Sequence, residues 1–330
     1  IAYPRYAIAN GDKTSETLFA HELAHHWWGN TITCKTQEDM WLNEGWASYS
    51  ERLFLEAVYG KEAYDDDIES NHHSVLQFAH VLDEAILPVT GIGHANTYGR
   101  HVYDKGADMV HTLRGLMGDE PFFEACKSFQ STFQFKDVTT QDMGTHFQSY
   151  TSLDLTGFFE QWVKTAGFAH SDIISATKQN DVYQITIKQT PRFNQEVYTD
   201  VRLSIAAFAE GKRYDTIIVV SQSQQIFSIT CPFEPQFWIL DPEDKISDAT
   251  TTDQLAITSK EKNLTHGMMK KVKLVNSDQD SVKLWVTHHW APADGSYGKP
   301  TGAQLSKERY WEVHGPVSYT HLTLPTTPYV

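Results

Sequence analysis

Two hydrophobic periodicities divide the chain. From Ser15 to about residue 170, apolar positions recur on the 3.6-residue period of amphipathic helices. SETLFAHELAHHWWG predicts a helix that stops at Gly29, and NEGWASYSERLFLEAVYG one that ends at Gly60. HHSVLQFAHVLDEAI and VYDKGADMVHTLRGLMG predict two more, the second stopping near Gly118. PFFEACKSFQSTF sets Pro121 in a first helical turn. TTQDMGTHFQSYTSLDLTGFFEQWVKTAG predicts a helix pair joined near Ser152 to Asp154. The expectation is an all-helical segment with short connections.

From about Ile173 the pattern turns strand-like. VYQITIKQT, YTDVRLSIAAFAEG, YDTIIVVSQSQQIFSITC and PQFWILDPED are apolar runs separated by turn residues, which predicts a small antiparallel sandwich over roughly 175–245. Beyond it, MKKVKLVNSDQDSVKLWVTHHWAP offers two strand candidates around a turn at Asn276 to Asp280. The fold class is α+β, in several domains.

Composition narrows the function classes. The 330 residues are 40% hydrophobic, with 17 Phe, 15 Tyr and 9 Trp, which suits packed cores and excludes a disordered chain. A net charge of −15 leaves no basic footprint for nucleic acid. Cys34, Cys126 and Cys231 are widely spaced and form no CxxC pair, so buried free thiols are expected. No apolar run of about 18 residues predicts a membrane span. IAYPRYAIANGDKTSE lacks the basic and apolar regions of a signal peptide, and the chain begins without Met, which suggests a fragment or processed form. The segment 318–330, ending YTHLTLPTTPYV, reads as an artefactual tail of adapter type.

The candidate chemistry lies in HELAH. On a helix His21 and His25 project from one face, one turn apart, so two imidazoles can share one Zn²⁺ with Glu22 beside them. Alone, such a motif can equally be a half-buried face with hydrogen-bonded histidines. A two-histidine zinc needs a third ligand, and Glu44 in WLNEG follows His25 after 18 intervening residues, at the start of the next helix. Glu51 or Ser48 can reach back to orient a ligand imidazole. His26, His72 and His73 read as solvated or hydrogen-bonded, and His288 and His289 as surface or core histidines, not a second metal site.

HELAHHWWGN with Glu44 in WLNEG resembles the M1 family of zinc aminopeptidases, the gluzincins with HExxH-x18-E, over about residues 5–170. The resemblance implies one Zn²⁺ per chain on His21, His25 and Glu44, and Glu22 as the base that takes the proton of the attacking water. VYDKGADM matches the family's Y-[ED]-K-G segment, which assigns stabilisation of the tetrahedral oxyanion to Tyr103. It also implies a mainly helical, thermolysin-like peptidase domain over 1–172, without its N-terminal portion. An antiparallel β-sandwich domain at 173–246 and a mixed region at 247–317 follow. The family's G-x-M-E-N segment, which binds substrate backbone and the α-amino group, does not occur here.

The expected function is therefore that of a zinc metalloaminopeptidase fragment acting on peptides, with its own missing N-terminal domains as native partner. A zinc peptide hydrolase without aminopeptidase specificity and an inactive zinc-containing peptide-binding fragment stand beside it. WILDPEDKISDA, KLWVTHHWAPADG and LSKERYWEVHG are similar to segments of long secreted or surface-attached bacterial relatives, which implies a periplasmic, cell-surface or secreted location.

Overall fold

The computed structural model describes residues 13–258, 281–293 and 306–315, together with Tyr3, Arg5 and Ala7. Its first half is mainly helical: α1 (Glu16–Ala24), β1 (Ile32–Cys34), α2 (Glu44–Tyr59), α3 (Lys61–Ser74), α4 (Arg100–Met117), α5 (Asp119–Thr132), β2 (Lys136–Val138) and α6 (Thr140–Gln148). A wide helical turn at Phe158–Val163 ends this part.

Glycine marks two of the expected stops, because a residue without Cβ adopts the positive φ that ends a helix. Gly60 closes α2 at φ 93° and Gly118 closes α4 at φ 81°. α6 starts on a capping box: Thr139 Oγ1 accepts from Asp142 N–H, and the Asp142 carboxylate accepts from Thr139 N–H at 2.8 Å.

Four expectations need correction. The first helix ends at Ala24 and not at Gly29, because residues 25–28 fold into a turn that carries Trp28 into a bridge with Ile32. The third helix begins at Lys61, eleven residues before His72. KEAYDDDIESNHHS is too polar to show a broad stripe, yet Tyr64, Ile68, Asn71 and His72 form its buried face. The helical half also contains a two-stranded parallel pair, β1 with β2. Strands of three residues are too short for alternation to reveal. Finally, YDTIIVVSQSQQIFSITC is two strands in different sheets, because the chain crosses over at Ser221–Ser223.

The strand-rich part holds β3 (Ser171–Gln179), β4 (Val182–Gln189), β5 (Val201–Ala209), β6 (Lys212–Val220), β7 (Gln224–Ile229) and β8 (Phe237–Leu240). They form two antiparallel sheets, in the orders β3-β4-β7 and β6-β5-β8. Asn180 (φ 56°) and Gly211 (φ 65°) supply the left-handed residues of the β3–β4 and β5–β6 turns. Tyr183 of β4 and Trp238 of β8 meet with ring centroids 5.6 Å apart, so the two sheets share apolar contacts. A third sheet follows from β9 (Thr250–Thr258), β10 (Ser281–His289) and β11 (Tyr310–His314), in the order β11-β10-β9. The strand candidate before Asn276 and the tail at 318–330 lie outside the described residues.

One apolar core runs from Ala24 through Trp46, Val110 and Phe147 to Leu203, Ile205 and Ile246, so helices and sheets are joined by packing. Leu23 on α1 and Trp27 in the turn that follows it remain about half exposed. Cys34, Cys126 and Cys231 are free thiols.

Candidate metal centre

α1 and α2 bring His21, His25 and Glu44 together, and α4 sets Tyr103 beside His21. Inside the core, Trp28 stacks on Trp46 at 4.0 Å, which fixes the turn after α1 against α2. α2 crosses α4 at a glycine pair: a Cβ on Gly45 would stand 3.0 Å from Gly106 Cα, and one on Gly106 would stand 3.0 Å from Gly45 Cα. The backbones can approach only because both positions lack a side chain. Glu44 precedes Gly45 and Tyr103 lies one turn before Gly106, so this close crossing holds the two side chains in register.

His21 Nε2 lies 3.4 Å and His25 Nε2 3.3 Å from Glu44 Oε2. Two ligand atoms held tetrahedrally at about 2.1 Å from one ion sit about 3.4 Å apart. The three groups therefore present the spacing that a zinc ion requires, and they are buried or half-buried. The opposite ring nitrogens are fixed as well. His21 Nδ1 meets Glu51 Oε1 at 2.9 Å, and His25 Nδ1 donates to the Trp28 carbonyl at 2.9 Å. With each Nδ1 acting as donor, it is each Nε2 that faces the shared point, and a metal there would take the place of its proton.

The electrostatics favour a cation there. Burial works against a charged His21, but hydrogen bonding to Glu44 and Glu51 outweighs it and carries the ring up to about 9. Contact with Glu44 likewise raises His25. Burial disfavours the Glu44 carboxylate, yet His21 and His25 hold it down to about 2. Two imidazoles that attract positive charge and a carboxylate that resists protonation fit a divalent metal.

Tyr103 packs parallel to His21, with centroids 6.0 Å apart. Burial first, and then Glu44, push its phenol well above the usual tyrosine range, so it stays a hydrogen-bond donor. Glu22 is half-buried on α1, next to His21 in sequence. Of the two orienting candidates, the structure selects Glu51; Ser48 is buried, and its carbonyl accepts from Arg52. His26 is exposed, and His72 is a buried partner of Asp108 at 2.7 Å. The Trp28 carbonyl had no signal in the sequence, because a backbone acceptor leaves no residue-type trace.

Comparison with known proteins places relatives beside this chain. Residues 1–162 match the Peptidase family M1 domain. Aminopeptidase N of Lactococcus lactis subsp. lactis is 26% identical over 178 residues, covering 52% of this chain and 21% of that protein. Leucine aminopeptidase 2 of Neurospora crassa is 34% identical over 152 residues, covering 44% and 23%. The solved structure of Legionella pneumophila aminopeptidase A in complex with aspartic acid superposes with a TM-score of 0.53 at 18% identity, over 70% of this chain and 26% of that one. That likeness is one of fold. The chain thus spans between a fifth and a quarter of the length of these curated relatives.

Proposed function

We infer the reaction from the premise that this chain belongs, through residues 1–162, to the M1 family of peptidases: it carries the catalytic centre of a zinc metalloaminopeptidase that hydrolyses the N-terminal bond of peptides. The observation that carries this reading is the convergence of His21 Nε2, His25 Nε2 and the Glu44 carboxylate within 4.8 Å of one another. His21, His25 and Glu44 are the proposed ligands of one zinc. When bound, zinc supplies Lewis acidity toward the scissile carbonyl and the attacking water.

The remaining steps fall to side chains. Glu22 takes the proton of the attacking water and delivers it to the leaving amine. Tyr103, held protonated by its surroundings, donates to the oxygen that gains charge in the transition state; loss of such a donor costs about 3 kcal/mol, or roughly a hundredfold in rate. Glu51 and the Trp28 carbonyl keep both imidazoles in the ligating tautomer.

The same proposal covers the architecture: a thermolysin-like peptidase part over 1–172, a β-sandwich domain at 173–246, a mixed region at 247–317 and an artefactual tail at 318–330. It also covers a native partnership with preceding domains and a periplasmic, surface or secreted location. Among the described residues no helix is long and apolar enough to cross a membrane.

The test compares a free tripeptide with its N-acetylated form, with and without chelator, using wild type and Glu22→Gln. Release of the first residue from the free peptide alone, abolished by chelation and by Glu22→Gln, is the expected result. Equal rates on both peptides would replace aminopeptidase action by general peptide hydrolysis. Zinc binding without turnover of either would leave a peptide-binding fragment.

A further inference from the structure

The C-terminal sheet brings a second group of ligating atoms together, far from α1 in the chain. Antiparallel pairing sets Thr287 opposite Glu312 and His289 opposite Tyr310. Side chains two apart share a face, so His289 at the end of β10 and Glu312 and His314 on β11 project to the same side. Asp172, the second residue of β3, enters from the first sheet, and the Tyr310 hydroxyl donates to it at 2.6 Å. Among the described residues, Asp172, His289 and Glu312 are, besides the peptidase triad, the other group whose ligand atoms all lie within 4.8 Å of one another.

We propose that Asp172, His289 and Glu312, with His314 at the rim, form a second site for a divalent first-row metal of zinc type, which staples the C-terminal sheet to the first strand of the preceding sheet.

Four observations carry this. His289 is 4% exposed, yet its Nε2 has no hydrogen-bond partner. A buried polar atom without a partner demands an explanation, and this one faces Glu312 Oε2 at 3.7 Å, too far for a hydrogen bond and close to the spacing of two ligands on one ion. Its other nitrogen is held like those of the peptidase pair: His289 Nδ1 meets His170 Nε2 at 3.0 Å. With His170 Nε2 accepting from His289 Nδ1–H, His289 Nε2 keeps its lone pair inward. A cavity of about 20 Å³, lined by Asp172, His289, Glu312 and His314, lies at the junction and has room for a single ion or water. Finally, one imidazole with two carboxylates suits zinc, manganese or their neighbours.

The structure also separates two histidines that the sequence treats alike. His288 is a core residue, packed at 4.4 Å against both Trp290 and Trp311. His289, on the opposite face, is the ligand.

The test uses the whole chain, stripped with chelator and titrated with Zn²⁺ and then Co²⁺. Wild type binds two equivalents. The double variant His21→Ala/His25→Ala, which removes the peptidase ligands, still binds one, and X-ray absorption of its cobalt form shows imidazole nitrogen in the first shell. On that background Glu312→Gln abolishes the remaining equivalent together with the rise in melting temperature that Zn²⁺ produces. Asp172→Asn, an isosteric change on a different strand, does the same, so a folding failure of one variant leaves the other to decide. The proposal is overturned if the double variant binds no metal, if its metal carries no imidazole, or if both added changes leave one equivalent in place. None of these readouts depends on peptidase activity, so failure here leaves the peptidase reading standing, and the reverse.

Discussion

Replacing Gly106 with alanine perturbs the crossing that holds Glu44 and Tyr103 together. The added Cβ would stand 3.0 Å from Gly45 Cα, where carbon atoms normally approach to about 3.5–4.0 Å. The helices must therefore separate by roughly 0.5–1 Å to make room. Overpacking of this kind costs about 1–3 kcal/mol, while alanine in a helix interior regains about 1 kcal/mol over glycine. The net loss of stability is thus about 1 kcal/mol, a fall of about 2–4 °C in melting temperature for a large domain. The catalytic loss is out of proportion, because displacement of about 1 Å at a reacting centre costs on the order of a hundredfold. The assay pairs thermal melts with initial rates on a chromogenic amino-acyl substrate, at saturating zinc. Gly115→Ala is the control. It lies on the same α4, where its Cβ would strike the Lys245 carbonyl, so it should destabilise more than Gly106→Ala while folded protein keeps its rate. A Gly106→Ala chain with unchanged melting and a rate within about threefold of wild type would refute the steric reasoning, since helix propensity would then have prevailed.

Two further outcomes follow from the same geometry. Glu51→Ala removes the acceptor that orients His21 and should weaken zinc binding by about 10- to 100-fold, read by competition with a chromophoric chelator; a change below about threefold would show that His21 needs no such partner. Lys105, 1% exposed, is pulled down by burial to about 7, with Asp108 offsetting only part of the effect. Its folded pKa lies below its unfolded one, so between about pH 7 and 10 the unfolded chain binds more protons and stability rises with pH, by up to about 1.4 kcal/mol per unit. Urea melts across that window should show the rise, and Lys105→Met should flatten it; an equal slope in the variant would place the titration elsewhere.

The candidate site was legible in the sequence to different depths. His21, His25 and Glu44 could be read because helix geometry ties residue spacing to direction in space. Tyr103 could be read only through its match to a family motif, since nothing in its local pattern separates it from fourteen other tyrosines. The glycines beside Glu44 and Tyr103 stood in plain view, yet their purpose is a backbone contact between helices far apart in the chain. α3 escaped in part because its exposed face is almost wholly polar, and β1 and β2 because three-residue strands show no period. Asp172, His289 and Glu312 are scattered over 140 positions with no motif, so His289 and Glu312 meet through sheet register and Asp172 joins them from a neighbouring sheet.

The early end of α1 gives the two proposed ligand histidines unequal futures. His21 answers to the Glu51 side chain, which a single codon change can shorten, neutralise or delete. His25 answers to the carbonyl of Trp28, which every amino acid possesses. Under the proposed ligand set, mutation can therefore adjust metal affinity through one imidazole in small increments, whereas the other yields only to a redrawing of the turn at residues 25–28. A selection experiment for altered metal preference should accumulate its changes around Glu51 and leave the HHWWG turn intact.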